Sequence, residues 1–391
     1  MRLKRLAVLT LAVSAVCQTL PPGVQKKASV GGITEYEYPN GLRVLLYPDP
    51  ANPKVTVNMI VQVGSRHEGY GETGMAHLLE HMDFIETNDG RQIKNEIVAH
   101  GAVWNGTTSE DRTNYYETLT ATDENLKWAL DLEAARLVNV KITKQLLDVE
   151  MTVVRNEFER GENSPQRVLS ERVASTAFLW HNYGKSTIGS REDLEKVPAE
   201  RLAAFYKKYY QPDNTVLAIG GKLDESKTLQ WVAETLGRIP RPTRKLDQTY
   251  TVEPTQDGMR YVELRRMGEG QQLIMAYHAP AAGHPDAAAL QVLAGVMNGG
   301  GGGRGGRGGG GGGNGRLTKA LVDNKKAESA SLRVEQLHDP GLLQVSASLS
   351  KDQSIEEVRK IVGETLKGIV SEPPTKEEVD RVKTRMARSM E

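Results

Sequence analysis

His77 and His81 stand four residues apart in the run Gly74-Met75-Ala76-His77-Leu78-Leu79-Glu80-His81-Met82. Nothing from Met75 to Met82 interrupts a helix, and Thr73 is a residue type that caps helix starts. On a helix this spacing projects both imidazoles from one face, about one turn apart. Two neutral histidines so placed can bind one zinc ion. Glu80 sits three residues after His77, near such a metal without having to ligate it. A carboxylate there can take a proton from a zinc-activated water, which is what metal-assisted hydrolysis demands. A chance pair of surface histidines is the competing explanation. The question is therefore whether the chain offers a third ligand, since catalytic zinc usually has three and keeps one position open.

A candidate lies in residues 147–160, a helical run with no Pro or Gly until Gly161. Glu150 and Glu157 are seven residues apart, two helical turns, and share a stripe with Val153 and Val154. Two carboxylates flanking valines fit a buried metal site in which Glu157 ligates and Glu150 supports the ligands from behind. Taken alone, these acids also fit a solvated helix face.

Together, His77-Leu78-Leu79-Glu80-His81 and the downstream Glu150 and Glu157 resemble the pitrilysin/insulinase family of zinc metallopeptidases, which includes mitochondrial processing peptidases and bacterial periplasmic proteases. Its helix carries the inverse order of the commoner His-Glu-x-x-His metalloprotease motif. The resemblance extends from about Glu35 to the end of the chain. It implies one Zn2+ per chain, held by His77, His81 and Glu157, with Glu80 and Glu150 as the catalytic acids. It also implies that residues 101–108 form a substrate-side edge strand, on which the Asn105 amide binds a peptide carbonyl. Asn105-Gly106-Thr107 reads alternatively as a glycosylation sequon. Where many members continue Met-x-Phe-x-Gly-Thr, this chain has Met82-Asp83-Phe84-Ile85-Glu86-Thr87, so Glu86 replaces the glycine and Asp83 places an acid near the site.

The elements that must carry these residues read as α+β. Residues 34–38 and 42–47 are strands flanking the Pro39-Asn40-Gly41 turn, and 55–63 alternates Val55, Val57, Met59, Val61 and Val63 on one face. Helices are expected over 92–100, 124–138, 144–159, 166–177 and 199–209, with strands at 104–108, 114–119 and 215–220. Lys+Arg and Asp+Glu are both 50, so net charge does not point to a nucleic-acid partner. Arg2, Lys4 and Arg5 precede an apolar stretch at 6–16 that is too short to span a bilayer, the pattern of a signal peptide. The expected location is therefore periplasmic or secreted, with no membrane span after processing. Cys17, the single cysteine, excludes an internal disulfide and makes a lipoprotein the lesser alternative.

The expected organisation is a signal peptide and linker at 1–27, a zinc-binding catalytic domain at 28–236 and a linker at 237–254. A second, related domain follows at 255–391, with strands at 260–265 and 272–278 and a helix at 286–296. Both domains are expected to carry mixed, mostly antiparallel sheets covered by long helices. Residues 299–315 are nearly all glycine, interrupted by Arg304, Arg307 and Asn314. By the resemblance this is an enlarged loop before Arg316-Leu317-Thr318-Lys319-Ala320-Leu321, in preference to an RNA-binding RGG segment. The resemblance also makes the second domain incomplete at Glu391. It implies a second peptidase half, in the same gene product or as another subunit, closing around a peptide substrate. A non-catalytic peptide-binding or partner subunit is the alternative to a zinc metalloendopeptidase.

Overall fold

The computed structural model describes residues 20–268, 270–299 and 314–389. The segment expected to be a signal peptide, with Cys17, and most of the glycine tract, with Arg304 and Arg307, lie outside the described residues. Seven strands form the first sheet: β1 (Gln25–Val30), β2 (Ile33–Glu37), β3 (Arg43–Pro48), β4 (Lys54–Val61), β5 (Val103–Thr108), β6 (Thr113–Thr120) and β7 (Thr215–Gly221). Their spatial order is β1-β2-β3-β7-β4-β6-β5, and every pairing is antiparallel except β3 with β7. The alternation in β4 does what its period requires: Val55, Val57, Met59 and Val61 are all buried. β5 is the edge of the sheet.

Eight helices accompany this sheet: α1 (Met75–Met82), α2 (Ile93–Ala99), α3 (Asp123–Asn139), α4 (Lys144–Glu162), α5 (Pro165–Ala177), α6 (Arg191–Lys196), α7 (Ala199–Tyr209) and α8 (Glu225–Glu234). The core joins Tyr36, Leu46, Val57 and Leu217 of the strands to Leu78 and Met82 of α1 and Leu130 of α3. A second core of its own, including Leu332, Val345, Leu349 and Val358, unites β8 (Gly270–Ala279), β9 (Ser329–Val334) and β10 (Gly341–Ser350) with helices. These helices are α9 (Ala287–Asn298) and α10 (Ile355–Ser371), α11 (Lys376–Arg388) packs on α9, and the strand order is β8-β10-β9. The fold is α+β with mixed, mostly antiparallel sheets, as expected. No described helix is long and apolar enough to cross a membrane.

Two local expectations fail. Residues 260–265 form no strand: they find no ladder partner, and the Arg260 guanidinium is spent on the carbonyls of Thr176 and Ala177 at 2.8 and 2.9 Å. Residues 25–30, partly assigned to an N-terminal linker, form β1 paired to β2, so the boundary expected at 27/28 cuts through a strand.

Candidate metal centre

The donor helix α1 is only eight residues long, too short to persist on its own propensity. Its place is set from outside. Met75, Ala76, Leu78, Leu79 and Met82 are buried and bind one face of it to the core. The N-cap is Gly74, with φ 90°, and a Cβ there would meet the Ile188 carbonyl at 2.5 Å. Glycine alone accepts that turn. Thr73 does not cap α1 as its type predicts, because its hydroxyl donates instead to Asp193 Oδ2 at 2.6 Å. The exposed N–H groups of the helix start are met by Glu68, whose two oxygens accept from Gly74 and Ala76, each at 2.9 Å. Burial pushes the Glu68 carboxyl up to about 8, against the pull of those two N–H donors.

From the opposite side, α4 brings Glu150 and Glu157 to the two histidines. Glu157 Oε2 lies 3.6 Å from His77 Nε2 and 3.4 Å from His81 Nε2. One donor atom from each of the three residues falls within 4.8 Å of the others, the single such group among the described residues. Tetrahedral zinc with bonds of about 2.0–2.1 Å separates its ligands by roughly 3.3 Å, so the 3.4 and 3.6 Å separations of Glu157 from the two imidazoles fit the ion. Burial, with His81 beside it, pulls the His77 imidazole down to about 4 and keeps it neutral, the form that ligates. His81 differs. Burial pulls its imidazole down, but the bond to Glu150 and the charges of Glu157, Glu150 and Glu80 outweigh this and hold it above its ordinary value.

Glu150 contacts the other ring nitrogen: His81 Nδ1 is 2.8 Å from Glu150 Oε1. With Nδ1–H donating there, the Nε2 lone pair faces the metal position. Glu150 thus stands behind a ligand and does not face the reacting space. Glu80 points to the edge strand, where Thr108 donates a hydroxyl to its Oε2 at 2.6 Å. Burial raises the Glu80 carboxyl, the Thr108 bond partly countering it, which moves the group toward proton acceptance. β5 passes so close that a Cβ on Gly106 would sit 2.9 Å from Glu80 Oε1.

Asn105 is exposed on β5, and strand alternation puts its side chain on the face opposite Gly106 and Thr108. The structure therefore brings Asn105 to the open sheet edge but not to Glu80. Asp83 is buried, where Arg136, Glu117 and Glu80 act on it. There Arg136 Nη1 lies 2.8 Å from Glu117 and 3.0 Å from Glu133, and its guanidinium covers the Phe84 ring at 4.7 Å. Burial drives the Asp83 and Glu133 carboxyls well above the usual range, so Arg136 does not face three buried anions. Sequence reading missed Glu68 and Thr108. The single signal for Thr108 was its place in a strand expected beside the site.

Comparison with known proteins follows the same division. Residues 43–191 match the model described as insulinase (peptidase family M16), and residues 196–386 the model described as peptidase M16 inactive domain. A curated relative, the zinc protease PqqE of Helicobacter pylori, is 27% identical over 88% of this chain and 76% of its own length. The chain spans less of the next curated relatives, 62%, 59% and 46% of their lengths. The crystal structure of a protease from H. pylori superposes with a TM-score of 0.83 at 26% identity, covering 92% of this chain and 84% of that one. The periplasmic protease PqqL from Escherichia coli shares the fold, with a TM-score of 0.71 at 19% identity, over 93% of this chain and 40% of that one. With matched models running from residue 43 to 386 and the inverted histidine helix inside the first, the chain belongs to the insulinase (M16) family of peptidases.

Proposed function

We propose that the protein is a zinc-dependent endopeptidase acting on peptides or unfolded polypeptides. The observation that carries this is the convergence of His77, His81 and Glu157 donors within 4.8 Å beside the free carboxylate edge of Glu80. Zinc bound by these three would polarise a peptide carbonyl and acidify a water. Glu80 accepts the proton of that water and, with its raised affinity, passes it to the departing amine. Glu150 holds the His81 ring in the ligating tautomer. An extended peptide adds to the free edge of β5, whose outward main-chain groups are those of Trp104, Gly106 and Thr108, since Asn105 turns its main chain to Tyr116 of β6.

We read the catalytic domain as beginning with β1 and ending at 236, 237–254 as the linker and 255–391 as a second domain with no metal group among its described residues. Val149, Val153 and Glu157 on α4 are 67%, 43% and 38% exposed, which leaves the donor side open. A second peptidase half covering this side is consistent with the 40% of PqqL that the chain spans. An exported, periplasmic location follows from the basic and apolar N-terminal pattern. The test is Glu80→Gln. It should keep one zinc per chain by elemental analysis while hydrolysis of a quenched peptide falls by roughly two to four orders of magnitude. Near wild-type cleavage would end this mechanism. No cleavage by the unmodified protein, even with a complementary half supplied, would favour the non-catalytic partner.

A further inference from the structure

Between the two domains lies a polar cluster, built on the buried Arg66 and His181, that the reaction does not use. Arg66, 9% exposed, sits in a single turn (Ser65–His67) just before Glu68. Its Nε pairs with Asp111 Oδ1 at 2.9 Å, and its Nη1 reaches Asp339 Oδ2 at 3.2 Å and Thr249 Oγ1 at 2.5 Å. Asp339 belongs to the turn between β9 and β10, so one arginine ties the second domain to the first. The turn is held by more than this pair. His338 N donates to Asp111 Oδ2 at 2.8 Å, and Asp339 N donates to the Tyr183 hydroxyl at 3.0 Å. That hydroxyl in turn donates to Asp111 Oδ1 at 2.8 Å. Tyr183 N donates to His181 Nδ1, which leaves the proton on His181 Nε2 facing Asp339 Oδ2 at 3.1 Å.

The other end of the cluster is the donor helix. Asn182 Nδ2 bonds the carbonyls of both Arg66 and Glu68, at 2.8 and 2.9 Å, so these residues are fixed together. Glu68 then grips the N–H groups of Gly74 and Ala76 at the start of α1, three residues and one residue before His77. The amides of Ser65 and Arg66 also donate to the carbonyls of Ser109 and Glu110, in the connection between the edge strand β5 and β6. The chain of contacts thus runs from a second-domain turn to both walls of the site.

We propose that Asp339 is a positioning residue for the metal centre: through Arg66 and Glu68 the second domain sets the position of α1. The consequence for metal rests on the zinc reading above, but the mechanical link does not. A half-buried charged partner bonded into such a cluster is lost at a cost to its neighbours, and the amides it indirectly holds open more often.

The test is hydrogen–deuterium exchange on the full chain stripped of metal. Asp339→Asn, nearly isosteric and in a partly exposed turn, should speed exchange of a peptide spanning 73–78 about tenfold. Exchange in β4 and β10 should stay unchanged. Arg66→Lys, which keeps the charge and loses the forked geometry, should do the same by a second route. Glu263→Gln, in a surface pair, serves as the control and should change nothing. Unchanged exchange at 73–78 in a folded Asp339→Asn overturns the proposal, as does a uniform rise across β4 and β10, which would mark general destabilisation. With Co2+ as the probe, Asp339→Asn should alter the visible absorption of the loaded protein, and an unaltered spectrum counts against the link. If the unmodified protein takes up no Co2+, the zinc reading fails, and the exchange result still decides this inference.

Discussion

Replacing Glu150 by Gln separates the support of a ligand from ligation itself. The bond to remove is 2.8 Å long, from a buried carboxylate to His81 Nδ1. Charge-assisted hydrogen bonds contribute about 1.5–3 kcal/mol and neutral ones about 0.5–1.5. Keeping the bond but losing its charge should therefore cost about 1–2 kcal/mol of zinc affinity, roughly five- to thirtyfold, near the lower end of the usual ten- to hundredfold for such outer partners. The pH dependence sharpens the test. Glu150 helps hold the His81 imidazole above its ordinary value, so in the wild type a proton must leave His81 before metal binds as the pH falls below neutral. Apparent affinity then drops about tenfold per pH unit, from one displaced proton. His77, at about 4, adds no second proton above pH 5. In Glu150→Gln the imidazole loses its carboxylate and titrates lower, so its deficit should shrink on acidification from pH 8 to 5. Competition with a fluorescent chelator across that range measures both numbers. A deficit independent of pH, or a slope of two protons in the wild type, would refute the placement of Glu150 behind His81.

Glu157→Gln removes the charged third donor while leaving a side chain of equal size. It should abolish stoichiometric zinc by elemental analysis while far-UV circular dichroism stays native, and full retention would move the ligand role to another acid. Arg136→Met strips the counter-charge from Glu117 and the hydrogen-bond donor from Glu133 in a fully buried setting and should cost about 3–5 kcal/mol in urea unfolding. Restoring stability by adding Glu117→Gln and Glu133→Gln would confirm that the loss is electrostatic, and a cost below about 1 kcal/mol would show the cluster to be solvated. Chelation of bound metal should lower the melting temperature, since a ligand at a thousandfold its dissociation constant adds about 4 kcal/mol to the folded state. An unchanged melting temperature in the presence of excess zinc would mean that none is bound.

What the sequence made legible was periodic or compositional. His77 and His81 declare their shared face by spacing, and β4 declares its buried side by alternation. The acids of α4 declare a common stripe, though not its burial: Val154 is buried while Val153 is 43% exposed. What stayed hidden depends on partners distant in sequence or on the absence of one. β1 carries no hydrophobic signal because all six of its residues are exposed, and only its pairing with β2 makes it a strand. Residues 260–265 have strand-like composition but no neighbour to pair with. Glu68 reads as one more loop acid, since a carboxylate that bonds N–H groups six and eight residues ahead leaves no period behind.

The same contrast explains how the centre is held. Of the groups that aim His77, Glu80 and His81, none lies within α1 itself: Glu68 precedes it, Thr108 comes from the edge strand, and Glu150 and Glu157 come from α4. An eight-residue helix contributes the spacing of its donors and little else. Its register against β5 and α4 is a tertiary property, set by four side chains on three separate segments. A change at any of these segments moves all three chemical groups together, because α1 carries them on one short helix of a little over two turns. The site is therefore robust in its internal geometry and sensitive in its placement. Substitutions around α1 should act first on metal affinity and on the approach of Glu80 to the substrate edge, and only afterwards on the ligands' relation to one another.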